Sequence, residues 1–200
     1  MKILIVIVSY NAEKFIEQVV SRIVNSLENI DLLYDILVLD DCSSDSTFDR
    51  SLLTTEKYQN NTITVVKNPI NYGYGGNQKI GYQYAIENDY DIVVLLHGDA
   101  QYPPEEINNL INPIIIGDSD IVLGSRMLES KKALEGGMPL YKYYGNKVLT
   151  YFQNKILGTK ISEFHTGFRA YSKSFLNSVP FQYNSNDFDF DTDILIQAIH

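Results

Sequence analysis

Asp91-Ile92-Val93-Val94-Leu95-Leu96-His97-Gly98-Asp99-Ala100-Gln101 carries the change of character that decides the fold: five consecutive apolar residues run straight into a polar turn. An apolar run without polar alternation is the pattern of a β-strand covered on both faces. Runs of the same kind occur at Ile3–Val8, Asp35–Asp40, Thr62–Lys67 and Asp120–Gly124. Helical patterns lie between them, at Ala12–Glu28, Ser46–Tyr58, Gly76–Asn88 and Pro104–Ile115. In the first, Phe15, Val19, Val20, Ile23, Val24 and Leu27 share one stripe, the spacing of a helix facing a core. The last opens with Pro104 and then Glu105 and Glu106, residues favoured in a first turn. This alternation predicts an α/β fold, a Rossmann-like and mostly parallel sheet flanked by helices.

Ligands of such sheets lie beyond the carboxyl ends of the strands. The loops at those ends are Ser9-Tyr10-Asn11, Asp41-Cys42-Ser43-Ser44-Asp45, Asn71-Tyr72-Gly73-Tyr74-Gly75-Gly76-Asn77 and His97-Gly98-Asp99. They hold most of the concentrated polar and glycine chemistry, so one shared crevice is expected. The second half is less regular. It reads as a long helix over Leu140–Leu157, a short strand or turn around Thr166–Tyr171, an acidic stretch Asp187–Asp193 and the start of an apolar helix. One domain over 1–200 is expected, with a first half over 1–125 and a second, less regular half over 126–200. The helical pattern is unfinished at His200, which suggests a natural chain that continues.

Composition narrows the class. The 200 residues are 44% hydrophobic and 20% charged, enough for a sizeable core. One cysteine, Cys42, excludes an internal disulfide framework and suits a reducing, cytoplasmic setting. No run reaches the ~20 apolar residues of a membrane span. The net charge of −9 argues against a nucleic-acid partner. Its distribution is uneven: residues 1–125 carry 7 Lys/Arg and 18 Asp/Glu, whereas 126–173 carry 9 and 3. A basic segment in an acidic protein points to a local anionic partner, or simply to a solvated charged face.

Three loops carry candidate chemistry. His97, Asp99 and Gln101 can converge on one point if the backbone stays extended, and imidazole, carboxylate and amide oxygen together suit a divalent metal with positions open to phosphate oxygens. A tight Gly-Asp turn with a surface histidine is the alternative. Asp40 and Asp41 at a strand end need donors to meet them. Asp45 or Ser46 suits an N-cap, and Asp41 could accept a hydrogen bond from a nucleobase N–H. The loop Gly73-Tyr74-Gly75-Gly76-Asn77-Gln78 fails the dinucleotide pattern G-x-G-x-x-G, since Gln78 stands at the third glycine. It still allows close backbone approach to a ligand.

Taken in order, several stretches resemble glycosyltransferase family 2, inverting enzymes of GT-A type fold. They are Val8–Glu13, Leu39–Asp45, Asn71–Gly76, His97–Glu105, Gly124-Ser125-Arg126 and Thr166-Gly167-Phe168-Arg169. The likeness is strongest to the polyprenyl-phosphate, dolichol-phosphate mannose synthase-like branch. It implies that Val8, Tyr10, Glu13, Asp41, Gly73 and Gly75 border the nucleotide. His97, Asp99 and Gln101 would take the D-x-D-x-Q positions on metal, Mn2+ or Mg2+, and diphosphate. Arg126 would meet phosphate, Lys142, Thr166 and Arg169 would face the acceptor, and Asp193 would stand near the sugar. Asp99, Arg126 and Asp193 are thus the catalytic candidates.

Some positions depart from the family pattern. His97 replaces the first aspartate, which favours a softer metal such as manganese. Val8 replaces a frequent proline, and Lys142 replaces an arginine. No tryptophan is present, so the Q-x-x-R-W motif of processive synthases is missing. The resemblance implies inverting, metal-dependent, non-processive transfer of a sugar from a nucleoside-diphosphate sugar to a polyprenyl phosphate at the inner face of a membrane. Residues 126–173 would make the peripheral membrane contact, with the Leu140–Leu157 helix either at the interface or packed on its own domain. Alternatives are transfer to a glycan hydroxyl with Asp193 as base, a nucleotidyltransferase, and a non-catalytic sugar-nucleotide-binding module.

Overall fold

The computed structural model describes residues 1–28, 32–59, 62–125 and 140–199, the side chains of 140–143 excepted. The chain runs β1 (Lys2–Ser9), α1 (Ile16–Leu27), β2 (Leu33–Asp40), α2 (Thr47–Lys57), β3 (Thr62–Lys67), α3 (Tyr74–Glu87), β4 (Ile92–His97), α4 (Ile107–Ile115) and β5 (Ile121–Leu123). There follow α5 (Leu140–Leu157), β6 (Arg169–Ser172), α6 (Lys173–Ser178) and α7 (Phe190–Ile199).

The strands form one sheet in the order β3-β2-β1-β4-β6-β5. β1 is parallel to β2 and β4, and β2 to β3. The mostly parallel α/β architecture is therefore as the sequence predicts. The apolar runs of β1, β2 and β4 lack alternation because both faces are covered. Ile3, Ile5, Ile7, Ile36, Val38, Ile92 and Val94 pack with α1 and α4, while Leu4, Val6, Leu37, Leu39, Val93 and Leu95 pack with Tyr82, Phe175, Phe181 and Phe190. Each such side chain contributes about 1.5–3 kcal/mol when fully buried, so one-residue slips that exchange the faces are strongly disfavoured.

β6 departs from the parallel scheme. It lies antiparallel between β4 and β5, pairing Leu95 with Arg169 and Leu123 with Arg169 on its two sides. The sequence predicts only a short strand or turn near Thr166–Tyr171; neighbours distant along the chain make it a central strand. Smaller shifts have local causes. α1 begins at Ile16 instead of Ala12 because Phe15 N and Ile16 N both donate to Ala12 O, at 2.9 and 3.0 Å, closing a turn first. α4 is preceded by a separate 3-10 turn, Pro104–Glu106.

Topology places the site. β1 is followed by a crossover to β2 on one side, and its other neighbour is β4. The carboxyl ends of β1 and β4 therefore flank the topological switch point, where a crevice opens in sheets of this type.

Candidate active site

Hydrogen bonds stitch the strand-end loops together. Asp41 N donates to Ser9 O at 2.9 Å and Gly98 N to Val8 O at 3.0 Å, joining the ends of β2 and β4 to that of β1. Asn11 N donates to Ser43 Oγ at 2.9 Å, and Ser44 N returns to Asn11 Oδ1 at 3.0 Å. Gly98 is required at this junction: a Cβ there would stand 2.5 Å from Ser9 Oγ. Asn11, Cys42 and Ala100, one in each of these loops, adopt positive φ of 50°, 61° and 61°. Left-handed conformation in a non-glycine residue costs about 1–2 kcal/mol, and strain of that kind gathers at functional sites.

Ala100 also decides the fate of the metal triad. An extended His97–Gln101 segment would bring alternate side chains together, but the backbone turns after His97 and Ala100 takes the left-handed form. The extended backbone on which the convergence of His97, Asp99 and Gln101 was to depend is therefore not the one adopted. Asp99 is half-buried and accepts a bond from Gln101 N at 3.1 Å, and Gln101 is exposed. His97 turns elsewhere: its Nε2 lies 3.1 Å from the Tyr74 hydroxyl.

That contact opens onto a buried network. The Tyr74 hydroxyl donates to Asp191 Oδ2 at 3.0 Å, and Gln78 Nε2 donates to Asp191 Oδ1 at 3.2 Å. Arg169 Nη2 stands 3.3 Å from Asp191 Oδ2. Burial, and then the neighbouring Asp191 carboxylate, push the Tyr74 phenol well above its ordinary range, so its proton stays in place. A phenol has one proton to give. With Asp191 receiving it, the Tyr74 oxygen accepts from His97, which assigns the ring an Nε2–H. Gly167 makes room for this arrangement, since a Cβ there would fall 2.1 Å from His97 Nε2 and 3.0 Å from the Tyr74 hydroxyl. Tyr102 supports the other side, edge-on to His97 at 5.1 Å between ring centroids, its hydroxyl accepting from Gly167 N at 2.8 Å.

Arg169 is not an acceptor contact. It has no exposed surface and spends its donors on Thr166 O at 2.5 Å, Phe164 O at 2.8 Å and Asp191 O at 3.0 Å. Burial opposes its charge, but Tyr171 and Asp191 outweigh burial, so it is held charged more firmly than an ordinary arginine. Thr166 is equally buried, with Oγ1 donating to Gly124 O at 2.5 Å. Both residues hold the wall of the crevice in shape.

The carboxylate that joins the Tyr74–His97 contact is Asp191. Asp193 accepts from Ser185 N at 3.0 Å and so braces the loop before α7. The glycine-rich loop supports the same segment. Gly75 N and Gly76 N donate to Asn186 O at 2.7 and 3.1 Å, and a Cβ on Gly75 would stand 2.6 Å from Phe190 Cβ. A Cβ on Gly73, whose φ is +82°, would meet Asn186 O at 2.7 Å. The close approach these glycines allow is made by the protein's own chain, where the sequence suggested a nucleotide.

The remaining nucleotide candidates lie along the rim. Tyr10 is exposed beyond β1, and the Val8 side chain is buried. Glu13 Oε2 accepts from Ser46 N at 3.0 Å. Asp41 accepts from Tyr72 N, Asn68 Nδ2 and Gly73 N at 2.9, 2.8 and 3.0 Å. Burial and these three donors hold the Asp41 carboxylate in place just past the end of β2. Ser46, a cap candidate, makes no side-chain cap; Asp45 Oδ1 accepts from Thr47 N at 3.0 Å instead. Arg126 and the Lys142 side chain lie outside the described residues.

Among the described residues no group of three His, Cys, Asp or Glu side chains could hold a metal ion. Asp99 nevertheless fits a divalent ion bound by one carboxylate together with substrate phosphates, the usual way magnesium is held beside a nucleotide. Sequence reading missed Tyr74, Gln78 and Asp191; the alternation of Asp187, Asp189, Asp191 and Asp193 was the only local signal, and it does not say which one turns inward.

Comparison with known proteins gives this geometry a lineage. Residues 4–179 match the family described as Glycosyl transferase family 2. The chain is 32% identical over 206 residues to a UDP-N-acetylglucosamine--dolichyl-phosphate N-acetylglucosaminyltransferase of Methanococcus voltae, covering 98% of this chain and 79% of that protein. It is 29% identical to a low-salt glycan biosynthesis hexosyltransferase of Haloferax volcanii, covering 97% of this chain but 43% of the relative. In fold it matches glucosyl-3-phosphoglycerate synthase from Mycobacterium tuberculosis in complex with Mn2+ and UDP-glucose, with a TM-score of 0.69 at 22% identity, covering 98% of this chain and 64% of that one. The chain thus spans less than two thirds of that structure and under half of the haloarchaeal relative. Nucleotidyl transfer and a purely binding role are set aside. The sheet order, the stitched strand-end loops and the family match over 4–179 agree: this chain belongs to glycosyl transferase family 2 and is a glycosyltransferase.

Proposed function

We propose that the protein transfers a sugar, with inversion and one residue at a time, from a nucleoside-diphosphate sugar to a polyprenyl phosphate. The observation that carries this is the state of Asp191. It is buried, and both of its oxygens are engaged, by Tyr74 and Arg169 on one and Gln78 on the other. A general base needs a lone pair facing the acceptor proton. A phosphate acceptor is already an anion and needs no base. The Methanococcus voltae relative, named for a dolichyl-phosphate acceptor, supports the same choice.

In this mechanism an acceptor phosphate oxygen forms a bond to the anomeric carbon as the bond from that carbon to the diphosphate breaks. The nucleoside diphosphate then departs from the opposite face. A divalent ion, when bound, neutralises charge on the departing diphosphate, and Asp99 is the residue that would hold it. Tyr10 offers an exposed ring to the nucleobase, and Asp41 holds the loop that borders it. Arg169 and Tyr74 keep Asp191 fixed, and through Tyr74 they orient His97 at the end of β4.

The test is transfer by the purified protein with UDP-, GDP- and dTDP-sugars, Mn2+ or Mg2+, and either a short, water-soluble polyprenyl phosphate or free glycans. Product on the polyprenyl phosphate, with Asp191→Asn slowed but active, is expected. Product on a glycan hydroxyl alone, lost in a folded Asp191→Asn variant, replaces this function with base-assisted transfer.

A further inference from the structure

Phe188 is held in place and left uncovered. It lies in the segment between Tyr183 and α7, and it is 76% exposed, whereas Phe190, two residues on, is fully buried. Bonds on both sides fix the segment. Asn186 O accepts from Gly75 N and Gly76 N, Asn186 Oδ1 from Lys79 Nζ at 2.8 Å, and Ser185 Oγ from Asp187 N at 3.1 Å. Beyond Phe188, Asp189 O accepts from Thr192 N and Asp193 N at 2.9 and 3.0 Å. One face of the Phe188 ring is stacked on Tyr74, with 4.9 Å between centroids and 23° between planes. With one face so covered, an exposure of that size means that the other face is open.

That open face lies close to the strand end where the donor is held. Tyr74, which Phe188 covers, is edge-on to His97 with 5.3 Å between centroids, so a single ring separates Phe188 from His97 at the end of β4. Asp99 follows two positions later. In a nucleoside-diphosphate sugar the sugar is bonded directly to the diphosphate, so a diphosphate at Asp99 brings the sugar to the same strand end. Asp187 and Asp189 flank Phe188. Both are exposed, and neither carboxylate has a hydrogen bond or ion pair among the described residues. A sugar ring satisfies both features. The face of an aromatic ring carries partial negative charge, which attracts the polarised C–H groups on the flat side of a pyranose. Ionised carboxylates only accept hydrogen bonds, and sugar hydroxyls donate them. A lipid chain would gain nothing from the two carboxylates, and a phosphate group would be repelled by them.

We propose that Phe188 is the platform on which the donor's sugar ring stacks, with Asp187 and Asp189 accepting hydrogen bonds from its hydroxyls. The subsite rests on the use of a nucleotide sugar and not on the identity of the acceptor.

Isothermal titration calorimetry of the full chain with Mn2+ tests it, using UDP against UDP-N-acetylglucosamine and GDP against GDP-mannose. Phe188→Leu still covers Tyr74 but has no aromatic face. For the pair that binds, it should weaken the sugar nucleotide by about three- to tenfold and leave the nucleoside diphosphate unchanged. Phe188→Tyr should keep the parental affinity for both. Asp187→Ala/Asp189→Ala should lower the ratio of sugar-nucleotide to nucleotide affinity by about threefold or more. Thermal melting is the control for fold, and since all three side chains are exposed it should stay near that of the parent. Parental affinity for both members of the pair in folded Phe188→Leu overturns the subsite. Equal weakening of both overturns it too, and makes the ring a support for Tyr74 alone. So does parental donor affinity with a raised KM for polyprenyl phosphate, which makes the ring an acceptor contact. A parent that binds neither sugar nucleotide overturns the nucleotide-sugar reading itself, and the subsite with it.

Discussion

The Tyr74 hydroxyl stands 3.1 Å from His97 Nε2, tying the first turn of α3 to the end of β4 across the crevice. The same hydroxyl gives its proton to Asp191. Nitrogen-15 NMR should therefore show His97 protonated on Nε2 near neutral pH, and Tyr74→Phe should leave a mixture of tautomers. The lost buried hydrogen bond should lower stability by about 1–2 kcal/mol, a melting shift of roughly 2–8 °C. A parent ring protonated on Nδ1 alone contradicts the proton assignment.

Gly167→Ala puts a methyl group where His97 Nε2 now lies, its carbon falling 2.1 Å from that nitrogen. The ring must move, and overpacking of this kind costs about 1–3 kcal/mol. A displacement near 1 Å beside the reacting groups can reduce turnover by about a hundredfold. Steady-state kinetics on the folded variant should show that loss chiefly in kcat. Parental kinetics would mean that His97 can shift without consequence.

Arg169→Met separates support from acceptor contact. Removing one partner of a buried ion pair leaves Asp191 uncompensated, at a cost of about 3–5 kcal/mol. Urea unfolding should show that loss, and Arg169→Met/Asp191→Asn should recover part of it. Parental stability with a raised KM for acceptor alone would restore Arg169 as an acceptor contact.

Asp45 gives a pH signature at the start of α2. Burial acts to raise its pKa, but hydrogen bonds from Thr47 and from Glu13 N outweigh this and hold it below the ordinary 3.8. A depressed carboxylate contributes stability that is fully present above the unfolded value and lost as pH falls through the folded one. Acid unfolding should therefore be shallower as pH falls below 3.8 in Asp45→Asn than in the parent, after allowance for other carboxylates. Carbon-13 titration should place the Asp45 midpoint below 3.8. A midpoint above it would show that burial prevails.

Much of the fold was legible because its cause is local and periodic. Runs such as Ile3–Val8 and Ile92–Leu96 are apolar without alternation, and a strand covered on both faces calls for that at such lengths. β6 was less legible. Arg169-Ala170-Tyr171-Ser172 is four residues long, and its place between β4 and β5 comes from pairings with residues far away in sequence. The candidate site divides the same way. Asp99 and the loops after β1, β2 and β4 could be found from the rule that strand ends carry ligands. Asp191 could not be told from Asp193, since two residues along a helix start turn a side chain by about 200° at 3.6 residues per turn.

By itself, the sequence determined the strand–helix alternation and the family, since each is written in apolar period or in short motifs at loop positions. Only the tertiary structure decided how the polar groups of the strand-end loops are buried and paired. It buried Arg169 and Thr166, turned His97 toward Tyr74 and gave the glycines of 73–76 to Asn186. The physical reason is that burial and pairing depend on what other segments bring to the same place, and no local pattern records that.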